Sequence, residues 1–331
     1  MPTTVSDPTT ASSKAVASLS PSRASDFKTC PLLYRFRSVD RIPQRPTRDK
    51  LRGTVVHAVL DQLFDLPRPE RTLEAAAALV EPEWQRTLAA EPEVAELFAD
   101  TADPAAALAE WLGTARAMVA GYFALEDPRR FQPAAREERV ETVLDDGLVL
   151  RGYVDRIDLA PTGELRVVDY KTGGIPREAF EGKALFQLKF YALVLWRTRG
   201  VVPRQLRLMY LGDRDTLTYS PDAAELARFE RTLVAIWRAI ERALATGDFR
   251  ASPSRLCSWC DHQAICPAFG GTPPPYPPRV TGPEPAAGTD LPHPAPAAEP
   301  QSEIQPQPEI QPEIQPQPRP MAAAPDGTRA G

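Results

Sequence analysis

The stretch Gly152-Tyr153-Val154-Asp155-Arg156-Ile157-Asp158, then Pro161-Thr162-Gly163, then Val167-Val168-Asp169-Tyr170-Lys171-Thr172-Gly173 decides the reading of this chain. Two strand-like runs flank a three-residue connection. With glycine in its left-handed position, such a loop is a favoured hairpin turn. It pairs Ala160 with Glu164, and the same register carried outward sets Asp155 opposite Asp169. Alternation places Asp155, Ile157 and Leu159 on one face, matched by Leu165, Val167, Asp169 and Lys171 on the other strand. Like charges directly opposite on paired strands repel. A divalent cation removes that repulsion, and two carboxylates near a backbone carbonyl suit Mg²⁺ or Mn²⁺.

The chemistry this combination supports is metal-assisted phosphodiester hydrolysis. The ion neutralises phosphate charge and lowers the pKa of a bound water. Lys171 is positioned to orient that water or to stabilise developing negative charge. The competing explanation is an ion-pair ladder, Asp155–Lys171–Asp169, on a solvated sheet, and spacing alone does not separate the two.

Working outward, Ser20-Pro21 is a helix start, and that helix ends near Cys30-Pro31. A second helix is expected from Leu51 to Phe64, with Val55, Val56, Val59, Leu60 and Leu63 as its apolar stripe. Residues 72–126 are alanine- and leucine-rich with scattered prolines and are expected to form several scaffold helices. Strands follow at Val140–Val143, Leu148–Leu159 and Leu165–Tyr170, then a helix from Phe180 to Arg197. A strand at Gln205–Leu211 and a long amphipathic helix, Asp222–Thr246, precede a cysteine-rich stretch at 257–266. Helices around a mixed sheet indicate an α/β architecture.

Both ends differ in composition from this body. Of 37 prolines, 18 lie in residues 271–331, where large apolar side chains are almost absent. Such a tail cannot bury enough surface to offset its ordering entropy, and it is expected to be disordered, as is the Ser/Thr-rich segment 1–18. The body, about residues 19–270, is large enough for one substantial core. The tail supplies −4 of the formal charge of −5, leaving a nearly neutral body. A strongly basic nucleic-acid binder is thereby excluded, though a local basic groove is not. No apolar run is long enough to span a bilayer, and the first 18 residues lack a signal core, so the cytoplasm is the expected compartment.

Other candidates are weaker singly. His57, in Gly53-Thr54-Val55-Val56-His57, either packs in the core or completes a metal shell. Gln187 and Tyr191 share one helical face. Cys30, Cys257, Cys260 and Cys266 account for every cysteine, and four thiolates suit zinc or an iron–sulfur cluster equally well.

Taken in order, His57, Gly152-Tyr153-Val154-Asp155, Asp169-Tyr170-Lys171 and Gln187-x-x-x-Tyr191 resemble the RecB-like exonuclease branch of the PD-(D/E)XK nuclease superfamily. Ser20-Pro21-Ser22 and Cys30-Pro31-Leu32-Leu33-Tyr34 also look like the start of that family, and the resemblance runs from Leu19 to Phe269. It implies a restriction-endonuclease-like mixed sheet core with a helical insertion and a C-terminal cysteine cluster. It implies that His57, Asp155, Asp169 and the Tyr170 backbone carbonyl hold the metal, that Lys171 is catalytic with the two aspartates, and that Gln187 and Tyr191 bind substrate. Relatives with a similar one-plus-three cysteine spacing, including CRISPR-associated four-cysteine exonucleases and the helicase–nuclease AddB subunit, hold a [4Fe–4S] cluster. The same reading therefore extends to Cys30, Cys257, Cys260 and Cys266, with Zn²⁺ as the alternative.

The expected activity is metal-dependent DNA exonuclease action at single-stranded ends, in repair or recombination. The expected partner is DNA, with a helicase as a candidate further partner; the helicase that accompanies many relatives is absent from this chain, which argues against processive duplex degradation. The alternatives are a non-catalytic DNA-binding or assembly protein that keeps the nuclease fold, and an iron–sulfur or zinc protein unconnected with nucleic acid.

Overall fold

The structure, a computed structural model, describes residues 18–174 and 178–276. Residues 1–17 and 277–331, which make up most of the two segments expected to be disordered, lie outside the described residues.

Helices α1 (Pro21–Thr29), α2 (Pro31–Tyr34), α3 (Arg48–Leu63), α4 (Leu73–Ala90), α5 (Glu96–Ala99) and α6 (Pro104–Leu125) precede the sheet. Strands β1 (Ala135–Val143), β2 (Val149–Leu159) and β3 (Leu165–Lys171) follow, then α7 (Glu178–Arg199), β4 (Gln205–Tyr210), β5 (Asp215–Tyr219) and α8 (Ala223–Thr246). The five strands form one sheet in the order β1-β2-β3-β4-β5. All neighbours are antiparallel except β3 and β4, which run parallel. A parallel pair needs a long crossover, and α7 supplies it.

The expected turn and its first pairs form as read, though the ladder ends before the expected Asp155/Asp169 pair. Gly163 has φ +87°, its N–H donates to Ala160, and Ala160 N donates to Glu164 O at 2.9 Å. The register runs from Leu159↔Leu165 to Arg156↔Val168.

Both faces of the sheet are covered. On one, Ile157, Leu165, Val167, Leu206 and Leu208 share a core with Leu188 and Phe190 of α7 and Leu226, Leu233 and Ile240 of α8. On the other, Val168, Tyr170, Met209 and Leu211 pack with Val56 and Val59 of α3, Trp84 of α4 and Trp111 of α6. This two-sided cover is why Val167 and Val168, adjacent in sequence, are both completely buried. Each such side chain contributes about 1.5–3 kcal/mol relative to exposure. Leu19 bridges Leu150 beside β2 and anchors α1 to the sheet.

Several boundaries move. Helix α3 begins at Arg48 because the Thr47 hydroxyl accepts from Lys50 N at 3.2 Å and caps it. Strand β5 was not expected, being a short, half-exposed edge segment of mixed polarity. The body also extends past Gly271. Tyr276 stacks near Phe249, its hydroxyl donates to Leu244 O at 2.9 Å, and Arg35 donates to Pro274 O. No helix among the described residues is long and apolar enough to cross a membrane.

Candidate active site

At Asp155 the regular pairing of β2 fails on both sides. The ladder to β3 stops at Arg156↔Val168, and beyond it the Asp155 carboxylate accepts the Tyr170 N–H at 2.7 Å. Toward β1 the register is continuous except at Glu137, whose φ of +42° is left-handed and strained for a residue with a side chain. The pleat breaks with it, since Val154 and Ile157, three apart, enter the same core. Asp155 therefore does not share the face of Ile157, as simple alternation required. It turns toward α3, where its Oδ2 lies 3.5 Å from His57 Nδ1.

His57 lies mid-helix on α3, flanked by the buried Val55, Val56 and Val59. Its Nε2 is 3.1 Å from Tyr170 O, and its Nδ1 is 3.9 Å from Glu137 Oε1. Ligand atoms of His57, Glu137 and Asp155 all lie within 4.8 Å of one another. Glu137 was missed from the sequence, because nothing local marks the left-handed turn that brings it in.

Asp169 and Lys171 belong to a second chain of contacts. Asp169 is 2 % exposed and pairs with Lys171 Nζ at 2.5 Å. Lys171 Nζ donates to Gln187 Oε1 at 3.0 Å, and Gln187 Nε2 donates to Tyr191 OH at 3.0 Å. Gln187 and Tyr191 stand on α7, four residues apart, so the crossover that makes β4 parallel also aims them at the end of β3. Gly152 leaves room for the tyrosine, because a Cβ there would sit 2.7 Å from Tyr191 Cε1.

The electrostatics are those of charges crowded together under burial. Burial and the neighbouring Asp169 charge push the Asp155 carboxyl up to about 7, against the opposing pull of His57 and the Tyr170 N–H. Burial opposes charge on His57, yet the nearby Glu137, Asp155 and Asp169 carboxylates raise it to about 9. Lys171 is raised above its ordinary range, since Asp169 and Asp155 outweigh the cost of burial. An imidazole, carboxylates and a carbonyl form a donor set suited to Mg²⁺ or Mn²⁺.

The cysteines come together elsewhere. Cys30 ends α1, whereas Cys257, Cys260 and Cys266 lie in short 3₁₀ turns. All four line one cavity of about 200 Å³, together with His262 and the 85 % exposed Trp259. Ser252 N donates to Cys30 Sγ and Ser254 N to Cys257 Sγ, each at 3.3 Å. Burial raises the Cys260 thiol despite a backbone hydrogen bond from His262.

Among known proteins, the chain is 25 % identical over 272 residues to the Gene 69 protein of Mycobacterium phage D29, covering 75 % of this chain and 96 % of the relative. The Gene 69 protein of Mycobacterium phage L5 is 31 % identical over 127 residues, which is 38 % of this chain and 41 % of that one. A crystal structure of a candidate exonuclease from Eubacterium rectale aligns with TM-score 0.48 and 12 % identity, over 74 % of this chain and 88 % of that one. The family profile of the PD-(D/E)XK nuclease superfamily matches residues 18–267, a span containing both the acidic site and all four cysteines, and the chain belongs to that superfamily.

Proposed function

We propose that the protein is a Mg²⁺- or Mn²⁺-dependent DNA exonuclease of the RecB-like branch, acting at single-stranded ends in repair or recombination. The observation that carries this reading is the meeting, at the end of the β2–β3 hairpin, of a His57/Glu137/Asp155 group with the Asp169–Lys171–Gln187–Tyr191 chain. Superfamily membership supports nuclease action and a divalent cofactor.

In this reading His57, Asp155, Asp169 and the Tyr170 carbonyl hold the ion, joined by Glu137. The bound ion supplies Lewis acidity and a water of lowered pKa. Lys171, kept cationic by Asp169, faces the scissile phosphate and stabilises charge that develops there. Gln187 accepts from Lys171 and donates to Tyr191, so it fixes both side chains and aligns the strand.

The four cysteines are read as ligands of a [4Fe–4S] cluster that staples the first helix to the C-terminal turns. Four thiolates also suit tetrahedral zinc, and the likeness of the one-plus-three cysteine spacing to cluster-bearing relatives is what favours the cluster. Backbone N–H donors on Cys30 and Cys257 are the kind of contact that stabilises cluster thiolates. A cytoplasmic location and a separate helicase partner fit the same reading.

The test is degradation of end-labelled single-stranded DNA with Mn²⁺ or Mg²⁺ by the wild type and by Lys171→Ala. Wild-type activity with loss of at least about a hundredfold in the variant, at unchanged fold, is expected. Equal rates in the two proteins would end the mechanistic assignment. Anaerobically purified protein should be brown, and a colourless preparation with stoichiometric zinc would replace the cluster by zinc.

A further inference from the structure

Tyr170 is the residue through which the two halves of the metal site touch the sheet. Its N–H donates to Asp155 Oδ2, and its carbonyl oxygen lies 3.1 Å from His57 Nε2. Its ring is buried, edge-on to His57 on one side and to Tyr122 on the other. Its hydroxyl, at the far end of the ring, accepts from Arg156 Nη1 at 2.8 Å.

Arg156 is the next residue after Asp155, and no part of it is exposed. Its guanidinium forks onto both carboxylate oxygens of Glu126, the residue that ends α6, and also meets Asp158 at 3.1 Å. Phe131, Tyr170 and Phe64 surround it at 4.9, 5.6 and 5.8 Å from their ring centres. A charge removed from water this completely is costly, and here the ion pairs with Glu126 and Asp158 offset that cost. Planar guanidinium donors make such pairs in fixed directions, which an ammonium cannot do.

We propose that Arg156 and the Tyr170 hydroxyl are positioning residues for the divalent ion. The fork from Glu126 fixes Arg156, Arg156 fixes the Tyr170 ring, and the ring fixes the peptide groups that orient Asp155 and His57. The inference rests on the metal reading above and adds to it a buried support that touches neither ion nor DNA. Outer-shell partners of this kind change metal affinity by about 10- to 100-fold.

The test uses full-length Tyr170→Phe and Arg156→Lys with direct titration of Mn²⁺, free ion being read by electron paramagnetic resonance, alongside thermal unfolding in chelator. Tyr170→Phe deletes one oxygen and leaves Arg156 paired with Glu126 and Asp158, so the fold is retained. Its Mn²⁺ dissociation constant should rise about tenfold or more while its unfolding midpoint in chelator shifts by only a few degrees. Arg156→Lys should weaken Mn²⁺ binding at least as much. Wild-type Mn²⁺ affinity in Tyr170→Phe would overturn the proposal and leave the buried network a purely structural ion pair. A wild type that binds no Mn²⁺ would instead overturn the metal reading, and this proposal with it.

Discussion

The two ligand-gathering regions of this molecule are built on opposite principles. The side-chain donors of the acidic site stand on helices and strands: His57 on α3, Glu137 on β1, Asp155 on β2 and Asp169 on β3. The thiols, by contrast, sit at one helix end and in three-residue and five-residue 3₁₀ turns around a cavity. The first region sets crowded charges on a framework of helix and strand. On the proposed cluster reading, the binding energy of the second would become folding energy. That reading separates function from stability in space.

The sharpest way to break this comparison is Asp155→Asn. Cleavage of single-stranded DNA should fall about a thousandfold. The unfolding midpoint in chelator should stay level or rise, because a buried carboxyl pushed up to about 7 is replaced by a neutral amide that still accepts the Tyr170 N–H. Cys30→Ser should do the reverse, lowering the midpoint by about 10 °C with loss of brown colour. If the two variants destabilised equally, the division of labour would be wrong.

Glu126→Gln probes the rigid region from below. Burial pushes this carboxyl up, but the charge and hydrogen bonds of Arg156 outweigh that and hold it below its ordinary range. A depressed carboxyl contributes stability that is full above the unfolded-state value and is lost as pH falls through the folded-state value. The variant should therefore cost about 3 kcal/mol near neutrality, since it leaves a buried guanidinium half-paired. The gap to wild type should close as denaturation is measured at progressively more acid pH. A gap that stays constant with pH would show that lost packing, not charge, sets the cost. Smallest in effect, Glu137→Gln should weaken Mn²⁺ binding by about tenfold in calorimetric titration, and unchanged affinity would remove Glu137 from the site.

What could be read from sequence follows how local each determinant is. The hairpin register was legible from Leu159↔Leu165 to Arg156↔Val168 because Gly163 at φ +87° fixes the turn, but the expected Asp155/Asp169 pair lies beyond the end of that ladder. Gln187 and Tyr191 were legible because helical spacing alone places them together. Asp155 was legible as an acid but not by direction, because the break in its pleat depends on Glu137 in the neighbouring strand. Arg156 gave no sign of its burial, since an arginine beside two aspartates reads as solvated. The edge strand Asp215–Tyr219 was hidden by its polar, half-exposed composition.

The contact between His57 and Tyr170 spans 113 residues, whereas that between Asp155 and Tyr170 spans 15. Hairpins close in microseconds, but long-range docking waits on chain entropy. On that basis both aspartates and the lysine are expected to assemble early and the imidazole later, when α3 settles on the sheet. On the proposed metal reading, an ion that requires both halves would bind only after both are in place. Added Mn²⁺ should then slow unfolding while leaving the refolding rate nearly unchanged, a signature of kinetic rather than folding assistance.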